Sequence, residues 1–218
     1  MTHATITASA PRGAVVVARS LQDHSMRIKP ISRVLVALAA ASLLLLNTRP
    51  IWRIDLSAPQ YPEGLYLQIF SDRFSGDVEK INGLNHYIGM ATIHNEMFPE
   101  FTILPKVILA LVAVGVAAAL VGRRWSVGGF LAALLAFIAW AVYDMWSWGY
   151  DYGHNLDPHA AIKVEGMAYQ PPLLGHKQLL NFDAWSLPDE GGWVLFAATA
   201  IIVLVYFVEW RRAKAAAK

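Results

Sequence analysis

The acidic residues of this chain are confined to two stretches that lie between strongly apolar segments. Of the 16 Asp and Glu residues, 14 fall between positions 55 and 100 or between positions 144 and 190. The basic residues show the opposite distribution, since 11 of the 18 Lys and Arg residues lie before position 34, at 123 and 124, or after 210. Basic residues gather on the cytoplasmic side of membrane spans. This charge pattern therefore indicates a membrane protein with a defined orientation.

Composition supports this interpretation, because 56% of the residues are hydrophobic and only 16% are charged. A helix needs roughly 20 apolar residues to cross the hydrocarbon core of a bilayer. Four segments meet this requirement, at about 32–52, 103–121, 127–143 and 193–210. The sequence therefore predicts an all-α integral membrane protein with four transmembrane helices. Its two long extracytoplasmic loops, at about 53–102 and 144–192, are expected to form a cap.

The distribution of Lys and Arg also predicts which parts of the chain face the cytoplasm. It places both termini and the short turn at 123–124 in the cytoplasm of a bacterial cell, and both acidic loops in the periplasm. We interpret residues 1–25 as a disordered leader, with Met26 as an alternative start, and residues 26–218 as a single membrane domain. The first span is expected to be an uncleaved anchor, because no small-x-small site follows it. The inner-membrane lipid bilayer is one partner, and no nucleic-acid-binding pattern is present.

The absence of cysteine restricts the chemistry available to the chain. Covalently attached c-type haem, thiolate metal sites and Fe–S clusters all require cysteine and are therefore excluded. None of the seven His residues lies in a predicted span, so two axial ligands for a haem b between the helices are also lacking. Metal chemistry in this chain would use the His, Met and carboxylate groups of the external loops.

The first loop contains a candidate metal site made of two His and two Met residues. At about 100° per residue, a helix over 84–97 would place His86, Met90, His94 and Met97 within a stripe about 80° wide. Imidazole and thioether groups are suitable ligands for Cu(I). The alternative is that both His residues are ordinary polar positions and both Met residues pack on the membrane surface. The preceding pair Asn82-Gly83 is interpreted as a turn.

The second loop contains a harder set of ligands, which is the second choice for a metal site. Its members are Asp151, His154, Asp157, His159, Met167 and His176. Carboxylate and imidazole groups would accept zinc or Cu(II), or would relay protons. The alternative is a structural turn, because 155–158 reads Asn-Leu-Asp-Pro and these residue types favour turns. The nearby aromatic residues of 143–152 are interpreted as an interfacial belt.

Four runs of residues resemble one family of small bacterial membrane proteins. The runs are Tyr61-Pro-Glu-Gly-Leu-Tyr, Asp77-Val-Glu-Lys-Ile-Asn-Gly-Leu-Asn-His-Tyr-Ile-Gly-Met, Tyr152-Gly-His-Asn-Leu and Gly191-Gly-Trp. The family is the NosB-type protein found with the genes for nitrous oxide reductase maturation, and the resemblance covers about residues 30–210. It implies a periplasm-facing accessory of a copper enzyme in denitrification, and it favours copper as the metal of the His/Met set.

These observations predict a membrane accessory or assembly factor that is not itself a catalyst. It would handle copper, or support electron delivery, for a periplasmic copper enzyme such as nitrous oxide reductase. One alternative is a non-catalytic subunit of a membrane redox complex, which would co-purify with a membrane or periplasmic partner and carry metal-free loops. Another is a metal-dependent membrane enzyme that uses Asp151, His154 and His159, which would hold its metal tightly with an open coordination position.

Overall fold

Four long apolar helices dominate the computed structural model, which describes residues 27–163, 166, 168–179 and 181–216. The helices are α1 (Pro30–Ser42), α3 (Glu100–Val121), α4 (Arg124–His154) and α5 (Glu190–Ala216), and a shorter helix, α2 (Val78–Ile88), lies between the first two. All four are long and apolar enough to cross a membrane, when α1 is taken with the 3₁₀ segment Leu43–Asn47 that continues it. The prediction of four helices that could span a membrane is therefore confirmed for the described residues. The predicted leader, 1–25, lies outside the described residues.

The all-α prediction is wrong, because the structure contains a five-stranded antiparallel sheet. Its strands are β1 (Trp52–Ala58), β2 (Tyr61–Ile69), β3 (Phe74–Gly76), β4 (Gly175–Leu179) and β5 (Phe182–Pro188), in the spatial order β3-β2-β1-β5-β4. Apolar and polar residues alternate along β1, and this period of two buries one face of a strand. Ile54 pairs with Leu67 on β2 and with Ser186 on β5. The two acidic stretches therefore form one sheet.

Two predicted span ends differ from the structure. The first span was predicted to reach residue 52, but the helical segment ends at Asn47 and Trp52 already begins β1. The third was predicted to end at residue 143, but α4 continues to His154. Trp148 and Tyr152, on this extension of α4, pack against the core on the inner face of the sheet. The last turns of α4 therefore belong to the core beneath the sheet.

The four long helices form a closed ring in which each contacts two others. The neighbouring pairs are α1–α3, α3–α4, α4–α5 and α5–α1. Val36, Ile108, Leu134 and Ile202, one from each helix, are completely buried in the centre. Membrane helices gain little from hydrophobic association with one another, so close packing and hydrogen bonds hold such a bundle together.

One end of the bundle is held together by polar contacts. Arg33 donates from Nε to the carbonyl of Ala119 at 2.9 Å and from Nη2 to that of Leu120 at 2.7 Å. These carbonyls belong to the last turn of α3, where the positive charge of Arg33 also interacts favourably with the helix dipole. Glu209 of α5 is 3% exposed and accepts from the hydroxyl of Ser32 at 2.6 Å. The last span therefore contains a buried carboxyl group, although the sequence pattern presents the spans as nearly free of charge.

The sheet and α2 lie at the other end of the bundle and enclose a second hydrophobic core. Ile54, Leu67, Phe74, Ile81 and Ile93 are buried there, together with Leu65. The segment between α1 and β1 also meets the first turn of α5, since the Gly191 amide donates to the carbonyl of Pro50 at 2.8 Å. The described part of the chain thus consists of a helix bundle with a small α/β module, defined as the described residues of 52–98 and 145–188, at one end.

Candidate functional site

The helix that was expected to carry the His/Met stripe ends before the stripe is complete. Helix α2 stops at Ile88, and Gly89 follows in the left-handed conformation with φ of 81°. The pair Asn82-Gly83, predicted as a turn, lies inside this helix. The side chain of Asn82 makes two hydrogen bonds with the backbone of Ile93. Its Oδ1 accepts from the Ile93 amide at 2.7 Å, and its Nδ2 donates to the Ile93 carbonyl at 3.0 Å. These bonds hold residues 89–94 alongside α2 instead of extending it.

The four first-choice metal ligands consequently have different environments. His86 is exposed on α2, whereas Met90 lines an apolar pocket. His94 has an extended backbone and immediately precedes a single 3₁₀ turn, Asn95–Met97. The sulfur of Met97 accepts a hydrogen bond from the hydroxyl of Tyr152 at 3.9 Å, and 53% of Met97 is exposed. His94 and Met97 therefore lie one short turn apart at the surface, and the single helical stripe is not formed.

Three of the second-choice ligands, His154, Asp157 and His176, have side chains engaged in local contacts. The ring of His154 stacks on Tyr150 at a centroid distance of 3.9 Å. Asp157 accepts from the amide of His159 at 2.8 Å, which is an Asx-type turn. The Nε2 atom of His176 lies 2.8 Å from Oδ1 of Asp183 on the sheet. The carbonyl of Asp151 accepts the amide of Asn155 at 3.0 Å. Met167 lies outside the described residues.

The structure brings the two candidate stretches into contact through their backbones. The Asp157 amide donates to the carbonyl of Gly89 at 2.8 Å, and the Ile162 amide donates to that of Tyr87 at 2.9 Å. Within the described parts of the chain, no three His, Asp or Glu side chains are grouped closely enough to hold a metal ion. Both metal sites stay predictions, and the continuous helix assumed for the first one is not formed, because α2 ends at Ile88.

An apolar pocket lies between the inner face of the sheet, α2 and the extension of α4. It has a cavity volume of about 80 Å³. Its walls are almost entirely apolar. They include Ile54, Leu56 and Leu67 from the sheet, Ile81, Leu84, Asn85, Ile88, Met90 and Ile93 from 81–93, Trp148 and Tyr152 from α4, and Tyr169, Pro171, Leu179 and Phe182 from the second stretch. Apolar pockets with a few polar groups are typical ligand sites.

Tyr169, one of the residues that line this pocket, has a buried hydroxyl that makes no hydrogen bond with any described residue. The indole N–H of Trp148 is also buried, and it lies beside the hydroxyl of Tyr152. Tyr169 is only 2% exposed. A buried polar group without a partner costs roughly 1–3 kcal/mol. Sequence reasoning missed this site because it assigned the aromatic residues near 148–152 to the membrane interface, and no periodic pattern connects them with 169–182.

The junction between the sheet and α2 carries the clearest charge effect in the module. The carboxylate of Asp77 lies 3.1 Å from the ammonium of Lys80 and accepts the amide of Tyr66 at 3.2 Å. Both contacts favour the ionised form, so they lower the pKa of Asp77 below its ordinary value, with the Lys80 contact the larger cause. In return, the Asp77 amide donates to the carbonyl of Tyr66 at 2.8 Å. The two hydrogen bonds between Asp77 and Tyr66 hold the start of α2 against β2.

Comparison with known proteins adds no assignment to this site. No family model, no curated protein and no solved structure matches the chain.

Proposed function

We propose that this chain is a membrane accessory protein, not itself a catalyst, that supports a periplasmic copper enzyme by handling copper or assisting electron delivery. One observation carries the proposal: the four runs that resemble the NosB-type family converge at the sheet-bearing end of the bundle. They form the start of β2, the whole of α2, the end of α4 and the start of α5. The module that they build is therefore the working part in this proposal.

Direct contacts connect these runs with one another and with the rest of the module. The run beginning at Tyr61 is joined to that beginning at Asp77 by the two hydrogen bonds between Tyr66 and Asp77. The carbonyl of Gly89, in the second run, accepts a hydrogen bond from the amide of Asp157, which directly follows the third run. At Gly153, an added Cβ would collide with the backbone of Gln170, so the third run packs directly on the segment that leads to β4. The first three runs therefore belong to one folded unit.

The orientation within the membrane is part of the same proposal. Helices α1 and α4 begin, and helices α3 and α5 end, at the end of the bundle opposite the sheet. The basic residues at that end are Arg27, Lys29, Arg33, Arg123, Arg124, Arg211, Arg212 and Lys214. The positive-inside rule then assigns this end to the cytoplasm and the sheet-bearing end to the periplasm of the inner membrane. A periplasmic protein partner would meet the sheet-bearing end.

For copper, the folded arrangement favours one half of the predicted ligand set. His94 and Met97 are exposed and one 3₁₀ turn apart, whereas Met90 faces the apolar pocket. An imidazole and a thioether at the surface provide the donor types that Cu(I) prefers and allow its transfer to a partner. We therefore expect Cu(I) to depend more on His94 and Met97 than on His86 and Met90.

An anaerobic competition titration of the detergent-purified protein against a chromophoric Cu(I) chelator tests this proposal. We expect the double variant His94→Ala/Met97→Ala to weaken Cu(I) binding at least about tenfold, which corresponds to about 1.4 kcal/mol. The His86→Ala/Met90→Ala variant should lose less. Lys177→Ala, at an exposed position on the edge strand β4 and in neither ligand set, is the control and should bind like the parent protein. Lack of Cu(I) binding by the parent protein would refute copper handling and favour a structural subunit of a redox complex.

A further inference from the structure

We propose that the end of the bundle opposite the sheet binds the head group of an anionic phospholipid between the start of α1 and the end of α3, where Lys29 and Arg33 hold its phosphate group. The inference depends neither on copper handling nor on the side of the membrane that this end faces. It rests on the charge of this end, on the fixed position of Arg33, and on the exposed apolar residues around it.

The end of the bundle opposite the sheet carries a large excess of positive charge. Among the residues of 27–33, 122–124 and 209–214, eight are Lys or Arg, and Glu209 is the single acid. Glu209 is buried and pairs with Arg212, so it balances only one of these charges. Clusters of roughly four to eight basic residues beside a membrane span attract anionic lipid head groups. This end is therefore complementary in charge to an anionic lipid.

Arg33 is held in place by the end of α3. Its Nε and Nη2 atoms donate to the carbonyls of Ala119 and Leu120. The guanidinium group also lies close to Gly122, where an added Cβ would come within 2.8 Å of Nε. The two hydrogen bonds leave further N–H donors of the guanidinium for a ligand. Because this side chain is already ordered, binding an anion to it costs little conformational entropy.

Lys29 adds a second cation beside Arg33. It lies one helical turn earlier, and its carbonyl accepts the amide of Arg33 at 3.1 Å. Side chains four residues apart lie on the same face of a helix, and like charges at this spacing repel each other. The Lys29 side chain is exposed, and its ammonium group makes no hydrogen bond or ion pair with a described residue. A phosphate group between the two cations offsets their repulsion and makes charge-assisted hydrogen bonds with both.

The residues beside this pair favour a lipid over a free anion. Val34, next to Arg33 on α1, and Leu120 on α3 are 52% and 71% exposed. Both belong to helices that are apolar and long enough to cross a membrane, so their exposed side chains can contact acyl chains. A phospholipid presents a phosphate group and acyl chains together, whereas inorganic phosphate gains nothing from these apolar residues.

The charge excess also selects among phospholipids. A zwitterionic lipid such as phosphatidylcholine carries its own cation, which the remaining basic residues of this end repel. Phosphatidylglycerol carries a phosphate group and no cation. A basic side chain near an anionic lipid surface is worth about fivefold in affinity, so we expect a preference of at least that size for phosphatidylglycerol.

Lipid titration followed by native mass spectrometry tests this inference. The delipidated full-length protein, in detergent micelles, is titrated separately with phosphatidylglycerol and with phosphatidylcholine of the same acyl chains. The lipid concentration at which half of the protein carries one lipid molecule is measured. The parent protein should reach this point at a concentration at least about fivefold lower with phosphatidylglycerol.

Two double variants locate the site. Lys29→Gln/Arg33→Gln should raise the half-binding concentration of phosphatidylglycerol at least about tenfold, because it removes both proposed contacts. Arg211→Gln/Lys214→Gln is the matched control. It removes the same charge from the end of α5 and should raise that concentration less than about twofold, because solvent and salt screen the more distant charges.

A single variant keeps the test independent of folding defects. Lys29→Gln leaves the hydrogen bonds of Arg33 to α3 in place. It should raise the half-binding concentration of phosphatidylglycerol roughly threefold to fivefold, the effect of one basic residue. Circular dichroism of each variant checks that it is folded.

Three results would overturn the inference. Equal half-binding concentrations of the two lipids in the parent protein would show no preference for an anionic head group. Equal losses in the two double variants would show attraction by overall charge and no site between α1 and α3. Displacement of phosphatidylglycerol by inorganic phosphate at the same molar concentration would show a phosphate site that does not use the acyl chains.

Discussion

Replacement of Gly115 with leucine is expected to disrupt the helix bundle and lower the free energy of unfolding by at least about 2 kcal/mol, because it overpacks a filled core. Gly115 lies where α3 contacts α1 and α4. A Cβ atom there would come within 2.5 Å of the Cβ of Ala40 and 2.6 Å of the Phe130 ring. Both neighbours are buried and have no room to move. Heating the detergent-solubilised protein and measuring the monodisperse fraction by size-exclusion chromatography reports this loss.

Gly129 on α4 provides the matched control for this substitution. It is also a helical glycine of a membrane-spanning segment, but no described atom lies within 4 Å of its added Cβ. Gly129→Leu should therefore keep the thermal stability of the parent protein or raise it slightly, since glycine is a poor helix former. Equal losses in the two variants would contradict close packing of α1, α3 and α4 at Gly115.

Glu209→Ala is expected to have the second-largest effect, a loss of about 2–3 kcal/mol, because it leaves buried donors without an acceptor. The carboxylate of Glu209 accepts from the hydroxyl of Ser32 and the amide of Lys29, and it pairs with Arg212. It therefore joins the start of α1 to the end of α5. The midpoint of thermal unfolding measures the loss, and Glu209→Gln, which keeps an acceptor oxygen, should lose less.

An exposed ion pair on the same helix is the control for Glu209. Glu190 lies 3.2 Å from Arg49, and both side chains are more than half exposed. Exposed pairs contribute roughly 0–1 kcal/mol, so Glu190→Ala should shift the unfolding midpoint far less than Glu209→Ala. Similar shifts in the two variants would indicate that Glu209 does not hold the two helices together.

The membrane part of this fold could be predicted from the sequence because its signal is local. A run such as 103–121 is apolar over its whole length, and a spanning helix satisfies its own backbone hydrogen bonds. The sequence signal for the sheet is weaker. In β1, Arg53 and Asp55 alternate with Ile54 and Leu56, and the charged residues make this segment resemble part of a polar loop. Its partner β5 lies more than a hundred residues away, so the pairing depends on tertiary structure.

The candidate site was harder to predict, because side chains that are distant in the sequence decide its geometry. The helical stripe assumed that α2 continues through Gly89, but the two hydrogen bonds between Asn82 and Ile93 favour a chain reversal there. The apolar pocket requires Trp148 and Tyr169 to meet under the sheet. No spacing rule in the sequence indicates that contact. Of the five described His residues, four lie outside the helices that could cross a membrane, whereas His154 is the last residue of α4. The environments of all five depend on the same tertiary contacts.

Cysteine labelling tests the central claim, that the sheet-bearing end of a membrane-spanning bundle faces the periplasm. Because the chain contains no cysteine, single replacements can be placed freely, and the parent protein is the blank. Leu174→Cys, at a position that is 65% exposed before β4, should react with a membrane-impermeant maleimide on cells whose outer membrane alone is permeabilised. Ala215→Cys, at the end of α5, should react only after the inner membrane is disrupted. The reverse pattern, or equal labelling of both positions with the inner membrane intact, would contradict the account.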